Sequence, residues 1–155
     1  MRVYNKSMRI VLQKVSKAQV SVEDEVVGSI DEGYLIFLGV IEGDTEDKAD
    51  WLAQKVANVR LFDGENGKIN DLSILDIGGS ILVVSQFTLA GRLEKGNRPD
   101  YTRATGPEEA NRLYEHFMES LRKNGVKKVE SGAFGAMMKV SLTNEGPVTL
   151  ELERQ

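Results

Sequence analysis

The 155-residue chain has no cysteine, one histidine and three prolines. Without cysteine there is neither a disulfide framework nor a thiolate metal site. That usage suits a reducing compartment, and a cytoplasmic location is expected. One histidine and no clustered carboxylates leave no ligand set with metal-binding spacing, so neither metal nor cofactor is expected. No apolar run approaches the roughly 20 residues that span a bilayer, and no charged-then-apolar leader opens the sequence, so no membrane role is expected. A formal net charge of −4 argues against a protein that coats nucleic acid through bulk charge. A local basic patch can still supply phosphate contacts.

The 41% hydrophobic and 28% charged content are those of an ordinary globular domain. The length suits one domain with a sizeable core. Residues 9–15, 18–22 and 25–30 read as short strands, and the dense run Tyr34-Leu35-Ile36-Phe37-Leu38 as a buried central one. Asp44 or Thr45 is a candidate N-cap for a helix with Ala49, Leu52, Val56 and Val59 at helical spacing. The Asp-Gly and Asn-Gly pairs in residues 62–67 signal a hairpin or loop. Thr105-Gly106-Pro107-Glu108 predicts a second helix start, with Thr105 as cap and Ala110, Leu113, Tyr114, Phe117 and Leu121 as the apolar stripe. Residues 126–130, 136–143 and 148–153 complete the strands. The reading is a single α/β domain of mostly antiparallel strands with two main helices.

Conventional acid–base catalysis finds few candidates. His116 sits beside the apolar stripe of the second helix, where a half-exposed surface position is the simple reading. The glycine-rich pieces do not lead into a helix as a phosphate loop would. More informative is Ser85-Gln86-Phe87-Thr88, which ends the apolar run Ile81-Leu82-Val83-Val84. Residues leaving a strand can aim successive N–H groups at one point and stabilise an oxyanion. Ser85 and Thr88 add hydroxyls, and Gln86 adds an amide able to grip a ribose or carbonyl. The competing reading is a strand end whose side chains cap their own backbone. Asn144-Glu145-Gly146-Pro147-Val148-Thr149 lies between two alternating runs, where a plain hairpin turn is the ordinary reading.

Together these segments resemble the SQFT and NxGPVT signatures of the D-aminoacyl-tRNA deacylases, in order and spacing, and the resemblance extends from Met8 onward. It implies a barrel-like sheet, with a domain at 8–155 preceded by an extension, residues 1–7, expected to be flexible. It further implies hydrolysis of D-aminoacyl-tRNA, and of glycine mischarged on alanine tRNA, by a homodimer with its sites at the subunit interface. Ser85, Gln86, Phe87 and Thr88 would form the catalytic segment. The Gly146–Pro147 bond would be cis and would reach the neighbouring subunit's site, where its backbone excludes L side chains. Asn144 belongs to the same motif. The terminal ribose hydroxyl of the tRNA would help activate water, while a covalent role for Thr88 lacks an activating base.

Phe134 and Met138 match a segment that holds the terminal adenine, with core packing as the alternative for each. Arg92, Lys95, Arg98 and Arg103 are candidates for acceptor-stem phosphates, with solvated charges interleaved with Glu94 and Asp100 as the alternative. One departure stands out. Gln13-Lys14-Val15 places Lys14 where the family usually has an arginine bracing the Gly-Pro turn, keeping the charge and losing the bidentate fork. From a different class, a non-catalytic nucleic-acid-binding module using the Arg92–Arg103 patch is the alternative function.

Overall fold

The computed structural model describes residues 7–155. Its spine is β1 (Met8–Val22), which pairs along one edge with β2 (Glu25–Ile30) and β3 (Gly33–Gly39), laid end to end, and along the other with β8 (Lys139–Arg154). All three pairings are antiparallel. Beyond β3, the strands β6 (Ser80–Ser85) and β7 (Val129–Ser131) add in parallel. A separate two-stranded antiparallel ribbon joins β4 (Arg60–Phe62) and β5 (Leu72–Ser73). The sheet curls until β2 meets β7: a Cβ on Gly28 would lie 2.4 Å from the Ser131 carbonyl oxygen, so closure at this point requires glycine. The expected, mostly antiparallel and barrel-like sheet is present, with a parallel half.

Sequence pattern decides which face of each strand meets which core. Met8, Ile10 and Leu12 of β1 join the layer under the helices, whereas Val15, Ala18 and Val20 face the barrel interior. The phase changes where the ladder with β8 shifts register, between Gln13 and Lys17. An uninterrupted, bent strand therefore occupies the place of the two expected at 9–15 and 18–22. The exposed Ser16-Lys17 pair, which broke the alternation, marks the bend. β3 and β6 are buried on both faces: Tyr34, Ile36, Leu38, Ile81 and Val83 turn toward the helices, and Leu35, Leu82 and Val84 inward. That double burial explains their unbroken apolar runs.

The helical layer contains α1 (Glu46–Asn58) and α3 (Pro107–Lys123), plus a one-turn α2 (Ile74–Ile77) absent from the sequence reading. α2 is fixed by a capping box in which Ser73 and Asp76 satisfy each other's backbone N–H. Two expected caps differ. Thr45 is the N-cap of α1 without a side-chain bond, and Asp44 instead accepts from Ile41 N (2.7 Å) and Lys48 Nζ (3.1 Å). Gly106, not Thr105, caps α3, with Pro107 in the first turn. After Phe62 ends β4, residues 63–67 form a loop closing in a 3-10 turn. Ser7, placed in the expected extension, is buried and donates to Glu153 Oε2 (3.0 Å); residues 1–6 lie outside the described residues.

Candidate active site

β6 carries the first signature to its place. Its last pair is Leu38↔Ser85, and Gln86 N still donates to the Leu38 carbonyl at 2.8 Å. The chain then folds into a 3-10 turn, Phe87–Ala90. Leu89 N closes back on the Gln86 carbonyl (3.2 Å), and the N–H groups of Phe87 and Thr88 open the turn, where helical geometry provides no intrahelical partner. Gln86 Nε2 donates to Thr88 Oγ1. Arg103 braces the far end of this turn, with Nε and Nη2 donating to the Ala90 carbonyl at 3.3 and 3.1 Å. Desolvation is the largest influence on that guanidinium and lowers its pKa.

Ser85, Gln86 and Phe87 form one wall of a cavity of about 540 Å³. Thr105, Pro107 and Ala110 at the start of α3 form a second wall, and Phe134 to Met138 a third. No residue lining the cavity has an acidic or basic side chain. Phe134 and Met138 both take part in packing and both face the cavity. Phe134 packs on Tyr114 (centroids 6.0 Å apart) and Met138 on the barrel core, yet each also lines the cavity. Tyr114 underpins this wall through its hydroxyl, which donates to the Val83 carbonyl (3.0 Å), and burial pushes its pKa up to about 12. Thr105, Pro107 and Ala110 were missed as site residues, because in sequence they signal only a helix start.

Gly146 and Pro147 are placed differently. They lie within β8, not in a hairpin: the chain does not reverse, and residues 145–148 bulge out between the pairs Val15↔Asn144 and Gln13↔Thr149. The Gly146–Pro147 peptide is cis, and both residues are exposed. Asn144 ties the neck of the bulge. Its Oδ1 accepts from Val148 N (3.2 Å), and its Nδ2 donates to Thr149 Oγ1 (2.9 Å), which Gln13 Nε2 also approaches at 3.4 Å. Neither Gly146, Pro147 nor Asn144 lines the cavity of their own chain. Lys14 lies opposite the bulge in register, but its Nζ sits 5.1 Å from the Phe62 ring centroid, a cation–π contact on the helix side of the sheet.

The basic loop is organised by a reciprocal backbone bridge, with Arg92 N to Asp100 O at 2.9 Å and Asp100 N to Arg92 O at 2.8 Å. Thr102 N donates to Asp100 Oδ1 at 2.8 Å and lowers that carboxyl's pKa. Lys95 and Arg98 lie exposed on this loop, whereas Arg103 is turned inward to Ala90. His116 lies away from the cavity, its Nε2 2.8 Å from Asp50 Oδ1 at the α1–α3 contact. Among the described residues no group of three or more His, Cys, Asp or Glu is placed to hold a metal ion, and no helix is long and apolar enough to cross a membrane.

A family model described as D-Tyr-tRNA(Tyr) deacylase matches residues 11–153. A D-aminoacyl-tRNA deacylase of Bacillus pumilus is 52% identical over 146 residues, covering 94% of this chain and 98% of that protein. One of an Exiguobacterium species is 54% identical over 147 residues, covering 95% and 99%. Among solved structures, the c-Myc DNA Unwinding Element Binding Protein matches with a TM-score of 0.89 at 39% identity, over 95% of this chain and 99% of that one. A structure described as a "probable eukaryotic D-amino acid tRNA deacylase" shares the fold, with a TM-score of 0.82 at 19% identity, over 96% of this chain and 100% of that one. With both signatures in place and the match running through nearly all its length, the chain belongs to the D-Tyr-tRNA(Tyr) deacylase family.

Proposed function

We propose that this protein hydrolyses the ester joining a D-amino acid to the terminal ribose of tRNA, releasing free D-amino acid and intact tRNA. One observation carries the reading: in a chain of this family, Ser85, Gln86 and Phe87 of the SQFT segment wall a cavity whose lining holds no acidic or basic side chain. Such a site suits a substrate that is already activated. Water adds to the ester carbonyl, the resulting oxyanion is held by the N–H groups of Phe87 and Thr88, and the ribose oxygen leaves with a proton. The neighbouring ribose hydroxyl assists by polarising the water, so the protein supplies position and electrostatics. Thr88 is a poor nucleophile here, because its partner, the Gln86 amide N–H, has no lone pair to take a proton.

Chirality is read by exclusion. The protein acts as a homodimer, and the exposed Gly146–Pro147 bulge of one protomer completes the cavity of its partner, leaving no room for an L side chain. Glycine on alanine tRNA, having no side chain, is accepted. This reading is supported by the bulge's exposure and by its absence from its own chain's cavity. Phe134 and Met138 hold the terminal adenine, and Arg92, Lys95 and Arg98 meet acceptor-stem phosphates. Lys14, occupied with Phe62, supports the bulge through strand β1 and not through a direct fork. The setting is cytoplasmic quality control of translation.

The test is to incubate the purified protein with D- and L-tyrosyl-tRNA and measure the ester remaining. Loss of the D-ester alone is expected, and equal loss of both enantiomers would refute chiral exclusion. A 2′-deoxy terminal ribose should slow hydrolysis greatly if the RNA hydroxyl assists. The name of one solved neighbour, a DNA-element-binding protein, favours a second reading as a non-catalytic nucleic-acid module. That reading expects salt-sensitive binding of uncharged nucleic acid with no turnover of either ester.

A further inference from the structure

Beside the cavity wall lies an aromatic pair whose rings the chemistry above does not use. Phe87 is 56% exposed although it lines the cavity, and Tyr101 beside it is 38% exposed. Their rings meet edge to face, with centroids 5.2 Å apart and planes at 72°. The Arg92–Asp100 backbone bridge places Tyr101 immediately after the loop's closure, and its ring lies against Gly91, where a Cβ would come within 3.0 Å of it. A side chain at position 91 would crowd the Thr88 carbonyl oxygen (2.9 Å) and the Tyr101 ring together. Residues 91–103 carry four cations against Glu94 and Asp100, a net +2 on a chain whose total is −4.

Exposed aromatic faces beside cationic side chains are the usual means of holding unpaired nucleotides, since every base has a face to stack and every linkage carries a phosphate. The cavity, about 540 Å³, is of small-ligand size and takes only the end of such a strand. The next nucleotide inward must therefore leave across the rim. We infer that Tyr101, supported edge-on by Phe87, is the stacking shelf for the base of the penultimate nucleotide of a single-stranded 3′ end, and that Arg98 and Lys95 face its phosphates. The inference rests on the aminoacyl-tRNA reading for the identity of the strand. It adds a positioning residue, Tyr101, outside both signatures.

The test uses the full-length protein and two short single-stranded RNAs, with fluorescent 2-aminopurine at the penultimate or at the terminal position. Stacking quenches the fluorophore, so the wild type is expected to quench the penultimate probe on binding. Tyr101→Phe should retain that quenching. Tyr101→Ala should abolish it and weaken binding roughly 5- to 150-fold, the range of one base stack, while terminal-probe quenching at saturation persists. Unchanged penultimate quenching in Tyr101→Ala would overturn the inference. So would loss at both positions, which would make Tyr101 a mere support for the cavity wall. Turnover of D-tyrosyl-tRNA by the wild type is scored separately. Quenching without turnover would therefore sink the deacylase reading and leave the shelf standing, and turnover without quenching the reverse.

Discussion

Thr88 Oγ1 takes its hydrogen bond from the Gln86 side-chain amide, and that bond limits what the threonine can do. An amide N–H can hold a hydroxyl in place but cannot accept its proton. Thr88→Ala should therefore leave deacylation of D-tyrosyl-tRNA within about tenfold of wild type, or ~1.4 kcal/mol in barrier. Complete loss, with an acyl-enzyme trapped on the wild type, would restore the nucleophile. Asn144 makes a different case, because both ends of its side chain are spent on the neck of the Gly146–Pro147 bulge. Asn144→Ala removes two exposed or half-exposed hydrogen bonds, so thermal stability should drop by only about 1 kcal/mol. The ratio of D- to L-ester hydrolysis should fall well beyond that, if the bulge rejects L side chains as proposed. A variant that lost stability but kept its selectivity would show that the neck does not position the turn.

At the scale of elements, α2 is a single turn held by Ser73 and Asp76, and it carries a pH signature. Asp76 accepts from Ser73 N at 2.8 Å and from Ser73 Oγ at 3.1 Å, and the backbone bond is the main reason its pKa is lowered. A carboxyl that is more acidic in the native than in the unfolded state stabilises the fold above the ordinary carboxylate range. That contribution is lost as pH falls through the native value. Asp76→Asn should therefore lower the melting temperature at pH 7 and flatten its decline below about pH 4, as a pair of thermal melts would read. An unflattened decline would assign the acid sensitivity elsewhere. Much of this architecture was legible in the chain: β3 and β6 announced themselves as doubly buried runs, and α3 by its stripe and Pro107. What stayed hidden was continuity. Polar Ser16-Lys17 and the Gly146–Pro147 pair look like breaks, yet β1 and β8 run through them because each strand supplies the other's ladder on both sides of the interruption. Local pattern does not contain that long-range pairing. Likewise Thr105 reads as a cap, and only the packing of α3 against the end of β6 makes it part of a cavity wall.

At the scale of the whole molecule, the two signatures occupy different surfaces of one chain. Ser85, Gln86 and Phe87 of the SQFT segment wall the cavity, while the Gly-Pro bulge stands exposed outside it. Sequence showed both motifs and their order, but the separation between them is a property of the folded protomer. It is also why the account requires two copies of the chain for each working site. Subunit mixing tests that requirement most directly. Gln86→Ala spoils the cavity wall, and Gly146→Val alters the bulge at a residue whose φ of 124° suits glycine. Each variant alone should be nearly inactive on D-tyrosyl-tRNA. After the two variants are unfolded together and refolded in equal amounts, half the dimers are mixed and each has one intact composite site, so about a quarter of wild-type activity should return. A mixture that stays as inactive as its parents would contradict a site shared between protomers.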